Sequence, residues 1–298
     1  MRHPRAPVCC ALLVAALLAG CSAAQPGGPT ERTSALDAAA RSLLAAWTTE
    51  HGGDAPDAVI AAGPLVRQDG DWTSDAYKQA AVDGLVNPSP GMTVSGVAGG
   101  TVQWADDSTT STAILSPAAA LSQALPRRVT PDSPVAPLVV LAASATSTTV
   151  STSRGTATVP AWELTLQDSP VRLVVVAAPV TVPTAPVTPG RELPGVAGET
   201  VAAEGISVGA DGRTLTVRVV GAQGPASQIC GEDYTASTVA DDRAVVITVV
   251  RHHYSGPGSD EIACAAVGAD RTAVTVLDTA LAGRPVLDVT SALPVPVS

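Results

Sequence analysis

The chain has 298 residues, a net charge of −10, 46% apolar residues and only 15% charged ones. Its length corresponds to about two domains, its apolar share excludes wholesale disorder, and its acidity argues against nucleic acid or another polyanion as partner. Aromatic residues are 2% with no Phe, so a core must be built from Val, Leu and Ala, and a broad stacking surface for bases or sugars is excluded.

Arg2, His3 and Arg5 precede an apolar run, Val8–Gly20, of thirteen residues. Such a run makes about 20 Å of helix, short of a hydrocarbon core of about 30 Å. A basic start followed by a short apolar run is a secretory signal. The run ends Leu18-Ala19-Gly20-Cys21, which resembles the lipobox of bacterial lipoproteins at every position. The resemblance implies that the Cys21 sulfur takes a diacylglycerol, that residues 1–20 are removed, and that the new amine is a further acylation site. One chain would hold a membrane marginally; two or three hold firmly. An ordinary signal with an incidental cysteine is the alternative. No Arg-Arg pair precedes the apolar run, which favours the general secretory route over the twin-arginine one. Residues 21–33 then read as a flexible tether, and the protein is expected on the extracytoplasmic face of the cell membrane, lipid-anchored.

Along the mature chain, Leu36, Ala40, Leu43 and Trp47 share one face of a helix predicted over Ser34–His51, with Ser34 and Asp37 as a capping box and Gly52-Gly53 as its stop. A short strand is predicted at Leu65–Gln68, and a helix at Thr73–Asp83 capped by Thr73 or Ser74 and ended by Gly84. Asn87–Gly91 (NPSPG) reads as a break. Strands follow at Thr93–Val97, Thr101–Trp104 and Thr109–Leu115, with Asp106-Asp107 in a hairpin turn. Ser116-Pro117 opens a helix to Leu125. Leu138–Ser153 and Thr156–Leu166 form a long hairpin around Arg154-Gly155, and Val171–Ala178 is a buried strand. The proline-rich Pro179–Gly195 cannot join a central sheet and reads as a semi-rigid linker. Beyond it come strands only: Val201–Val208, Thr214–Val220, Tyr234–Val239, Ala244–Arg251, Thr272–Leu277 and Pro285–Val289. The expected architecture is an α+β N-terminal domain (residues 34–180), a linker (181–198), and an all-β, sandwich-like C-terminal domain (199–298).

Of the five cysteines, Cys9 and Cys10 leave with the signal and Cys21 is the lipid acceptor, leaving Cys230 and Cys264 as an even pair for a disulfide in an oxidising compartment. Two buried thiols, or a metal pair with His252 or His253, are the alternatives.

Candidate chemistry is sparse. Gly205-Ile206-Ser207-Val208-Gly209 matches the nucleophile elbow of serine hydrolases, and Asp241 or Asp242 and then His252 or His253 follow in the order Ser, Asp, His. An elbow needs a helix directly after the serine, and here a turn and a second strand are predicted instead. Neighbouring His252 and His253 would point to opposite faces of a strand, and no third ligand stands at recognisable spacing, so no metal is expected. Asp69-Gly70-Asp71 lacks the later ligands of a calcium loop and reads as a turn. The sole lysine, Lys78, has Asp75 where a serine–lysine enzyme needs Ser. Neither a phosphate loop nor a dinucleotide fingerprint is present, and no cofactor is expected. Trp47, Trp72, Trp104 and Trp162 all fall in the first half; Trp47 is assigned to the core and Trp72 to a site after a turn that could be exposed.

Gly205–Val220, the cysteine pair and Arg271–Asp288 together resemble a module recurring in secreted proteins of high-GC Gram-positive bacteria, and Ser153–Leu166 resembles a stretch upstream of it in some of them. That resemblance implies the compartment and no chemistry. The resulting expectation is a non-catalytic binding or envelope-organising lipoprotein of unspecified protein or small-molecule ligand. An extracytoplasmic hydrolase using His252/His253 with nearby carboxylates is the alternative, and a bare structural spacer a third.

Overall fold

The computed structural model describes residues 29–53, 58–96, 99–126, 135–193, 198–257, 263–264 and 267–298. The expected signal, Cys21 and most of the expected tether lie outside them. Among the described residues the fold is β-rich, with fourteen strands in three sheets and three α-helices.

Helix α1 (Pro29–His51) begins earlier than its apolar periodicity predicts. Its first residue is a proline, whose missing N–H is unneeded in a first turn. Ser34 and Asp37 therefore lie inside the helix and form no capping box. The stripe Leu36, Ala40, Leu43, Trp47 is buried as expected.

Strand β1 (Val66–Asp69) leads to α2 (Asp75–Val82), capped by Ser74, whose Oγ accepts from the Tyr77 N–H at 3.2 Å. After α2 the Gly84 N–H donates to Ala81 O and the Leu85 N–H to Ala80 O, a Schellman closure that needs the left-handed residue at Gly84, where φ is +68°. A Cβ there would lie 2.7 Å from the Pro126 carbonyl. Strand β2 (Val86–Ser95) overturns the expected break at NPSPG. It runs parallel to β5 with a bulge between Pro88 and Thr93, and it is an edge strand, where a proline's absent donor is tolerated.

Hairpin β3 (Thr101–Trp104) and β4 (Thr109–Ser111) turns at Asp106-Asp107, with Asp107 at φ +62° and the Asp106 carboxylate accepting from the Ser108 N–H. The predicted strand to Leu115 ends at Ser111. Helix α3 (Pro117–Ala124) has the Ser116 cap and first-turn proline that its sequence announces. Strands β5 (Leu138–Thr152) and β6 (Gly155–Leu166) pair along their whole length, and β7 (Arg172–Val176) carries β1 on its outer edge. The second edge of β6 is shared: Ala157 and Thr158 pair with β3, Ala161–Thr165 with β7. Pro160 sits at the handover. Its carbonyl accepts from Ala177 on that edge, so its N–H-less side faces the gap between two partners. Helices α2 and α3 cover one face of this seven-stranded sheet around Leu121, Val140, Leu164 and Val175.

The proline-rich stretch contributes one isolated bridge, Thr181 to Ile60, and a 3-10 turn at Gly190–Glu192, where the Gly190 N–H donates to Val289 O at 2.7 Å. Beyond it, β8 (Gly205–Val208), β9 (Thr214–Gly221) and β12 (Ala269–Val276) form one sheet, and β10 (Glu232–Ala240), β11 (Val245–His253), β13 (Val286–Asp288) and β14 (Leu293–Pro294) another. Their facing residues, Leu215, Val217, Val219, Val245, Ile247 and Val249, form a single apolar cluster.

On the other face, Ala244 just before β11 and Val246 within it are also buried, with Leu287 and Val289 beside them. Their cover is α1: Ala40, Leu43, Leu44 and Trp47 complete that cluster. A strand buried on both faces reads as a continuous apolar run, which explains Ala-Val-Val-Ile-Thr-Val-Val at 244–250. Helix α1, nearly two hundred residues upstream, thus docks on the C-terminal four-stranded sheet. Among the described residues no helix is long and apolar enough to cross a membrane.

Candidate functional site

Three turns meet at the end of α1. The first is the β5–β6 tip, Ser153-Arg154. The second is the β10–β11 turn, where the Asp241 carboxylate accepts from the Arg243 and Ala244 N–H groups at 2.8 and 2.9 Å and from the Thr48 hydroxyl at 3.3 Å. The third is Leu281–Arg284, closed by the Arg284 N–H on Leu281 O at 3.0 Å with Ala282 and Gly283 both left-handed, φ +50° and +76°. Gly tolerates this; Ala does so only under strain, and such outliers gather at functional positions.

Between these turns lies a cleft of about 320 Å³ lined by Trp47, His51, Ser153, Arg154, Arg243 and Gly283, among others. The His51 ring lies over that of Trp47, centroids 4.0 Å apart. Adjoining hollows of about 740 and 490 Å³ share Ala282 with it. Clefts at junctions between structural units are the usual place for ligands.

The three arginines around the cleft differ in what they do. Arg284 is consumed by the fold: its guanidinium donates to the carbonyls of Leu281, Thr279, Ala280 and Asp241, which fixes the third turn against the second. The Arg243 side chain donates to Gly52 O at 2.9 Å, tying the helix end to the C-terminal sheet. Arg154 lies on the Trp104 ring, 4.6 Å from its centroid, with the Asp106 carboxylate 3.5 Å away.

Of the sequence-predicted candidates, Asp241 and Asp242 lie at the second turn, Asp242 lining the cleft; the others lie elsewhere. Ser207 is on β8, followed by a turn and β9, and its hydroxyl is 3.3 Å from that of Ser298; the strained strand-to-helix elbow is not formed. His252 and His253 end β11 as paired neighbours on opposite faces. The His252 Nε2 is 2.9 Å from the Thr235 hydroxyl, and the His253 Nδ1 is 3.1 Å from the Glu232 carboxylate. Asp69 pairs with Arg67 at 2.8 Å in an exposed turn. Among the described residues no group of three or more His, Cys, Asp or Glu is placed to hold a metal ion. Trp104 and Trp162 are buried, Trp72 is half-buried with its Nε1–H on Gln68, and Trp47 is core as expected.

Cys230 and Cys264 form a disulfide, which fits an oxidising compartment. Beside it, Glu232 accepts from the Tyr234 phenol and, at 3.1 Å, from the Ala222 N–H. Arg271 donates to Ala222 O, Gly224 O and Glu232 O, fastening the same loop. Burial alone would raise the Glu232 carboxyl, but the Tyr234 and Ala222 bonds and the charges of Arg251 and His253 outweigh it and hold it below the ordinary carboxylate range. Burial and the bond to Glu232 push Tyr234 up to about 12. Neutral Tyr234 therefore contributes stability that is complete below the ordinary phenol range and is lost as pH rises toward 12. Denaturant titrations above pH 10, the unshifted value, are expected to show this alkaline loss and to show it reduced in Tyr234→Phe; equal slopes would contradict the assignment.

The sequence places Arg154 at a hairpin tip and Asp241 in a turn, but not their meeting with Arg243, Arg284 and His51. The one available signal was that each turn pairs an arginine with a residue suited to tight turns. No protein-family model, curated protein or solved structure matches this chain.

Proposed function

We propose that the protein is a bacterial lipoprotein, held through Cys21 on the extracytoplasmic face of the cell membrane, that binds a ligand in the cleft between α1 and the three turns without transforming it. The observation that carries the anchoring is the run Leu18-Ala19-Gly20-Cys21 after a short apolar segment; the Cys230–Cys264 disulfide supports export. For binding without catalysis, the support is that the side chains best suited to chemistry are engaged in the fold: Glu232 and Tyr234 with the 222–232 loop, Ser207 on a regular strand. In this reading the chain is an α+β part, residues 34–180, then a sandwich-like part, residues 199–298, joined by the proline-rich 181–198, with α1 crossing to cover the second part. The resemblance to secreted proteins of high-GC Gram-positive bacteria agrees with it.

The alternative, a hydrolase on His252/His253, draws on the Glu232–His253 contact. Against it, the His253 side chain is 58% exposed and the Ser207 hydroxyl faces Ser298.

Growth of the producing bacterium with a labelled fatty acid tests the anchoring. The wild-type chain is expected to carry label and to sediment with membranes. Cys21→Ser is expected to carry none and to keep its leader. Label retained in Cys21→Ser, or a wild-type chain free of lipid, would overturn it.

A further inference from the structure

We propose that the cleft takes a small anionic group, a carboxylate or a phosphate; this deepens, and rests on, the reading of the cleft as a ligand site.

Among the described residues four side chains of fixed charge line the cleft, and three are cationic: Arg154, Arg243 and Arg284 against Asp242. That bias stands out in a chain with 27 acidic and 17 basic residues. The neighbouring Asp241 already accepts from the Thr48 hydroxyl and two N–H groups. Asp106 stands 3.5 Å from Arg154, and the remaining edges of that guanidinium make no further hydrogen bond among the described residues. Among the described residues the Arg243 side chain makes its bond to Gly52 O and no other. The planar fork of a guanidinium matches a carboxylate or phosphate with two parallel bonds.

The backbone adds to this. Ala282 and Gly283 line the cleft, and their N–H groups make no hydrogen bond within the described fold. Successive N–H groups of a left-handed turn form a concavity that favours anions. Arg284, spent on four carbonyls of the same region, holds that turn in place and leaves a positive charge behind it. Among the described residues, two guanidinium groups and two N–H groups with bonding capacity to spare thus line the cleft against one carboxylate, that of Asp242, and the left-handed Ala282 lies among them. An anion answers that imbalance and a cation does not.

The phosphate could belong to a dissolved solute or to a lipid headgroup, and the experiment separates them. The native protein in detergent is titrated with inorganic phosphate, citrate and glycerol phosphate. Binding is followed by calorimetry and by the amide resonances of Ala282 and Gly283. Saturable binding that moves both amides is expected, weakened about 10-fold or more by Arg243→Gln or Arg154→Gln and unchanged by Arg41→Gln, an exposed arginine of α1. Competition by phosphatidylglycerol vesicles, and none by phosphatidylcholine vesicles, assigns the anion to a headgroup; no competition by either assigns it to a solute. Absence of saturable binding of all three anions, or equal affinity in both variants, overturns the proposal. If glucose moves the two amides while the anions do not, the cleft is a ligand site of another class; if nothing moves them, the cleft reading falls as well.

Discussion

Leu43→Ala is expected to destabilise the protein by about 3 kcal/mol, the range for removing a buried leucine from a core that only partly collapses. Leu43 is 1% exposed and packs in the cluster that α1 shares with β11 and β13. Alanine is the best helix former, so a loss cannot come from weakened helicity; it must come from lost packing. Leu43 also lies one turn before Trp47, which lines the cleft. The variant should therefore loosen the joint as well as lower stability. Equilibrium urea unfolding checks this, and a loss below about 1 kcal/mol would mean that the helix face is not docked.

Removing the disulfide is expected to cost about 4 kcal/mol, from the loop it closes between residues 34 apart in the chain. The measurement is the unfolding free energy of Cys230→Ser/Cys264→Ser against wild type, with reductant added to wild type as a second route to the same state. The apolar cluster between the two C-terminal sheets does not include either cysteine, so the double variant should keep its strands and lose stability rather than structure. Two routes that disagree, or a loss under about 1 kcal/mol, would show that Arg271 and Glu232 hold the 222–232 loop without the bond.

Much of the fold was legible because it is written in local patterns. The Ser74 and Ser116 caps, the Gly84 stop, the Asp106-Asp107 turn and the long hairpin at Arg154-Gly155 all depend on residues within a few positions of one another. NPSPG misled because proline removes a donor, which rules out a central strand but not an edge paired on one side. The docking of α1 was illegible for a different reason. The nearly unbroken apolar run along 244–250 shows that both faces of the strand are covered, yet nothing local says by what; Ala244 and Val246 meet a helix that any apolar face of similar size could have supplied. The cleft shares that difficulty. Arg154, Arg243 and Arg284 come from turns separated by tens of residues, and Leu-Ala-Gly-Arg carries no mark that its alanine will be left-handed. The GISVG motif and the paired histidines were legible and led elsewhere, because a motif's chemistry depends on the strand-to-helix turn that this chain does not make.

The cleft exists only where α1 and the C-terminal sheet meet, so a ligand site there requires the two to form one body. A double-mutant cycle between Leu43→Ala and Leu287→Ala, read by urea unfolding, tests this directly. Leu287 is fully buried on β13 in the same cluster. The two losses are expected to couple by at least about 0.5 kcal/mol, as for residues sharing one packed region; losses that simply add, within about 0.3 kcal/mol, would place the helix and the sheet apart and leave the cleft without its wall.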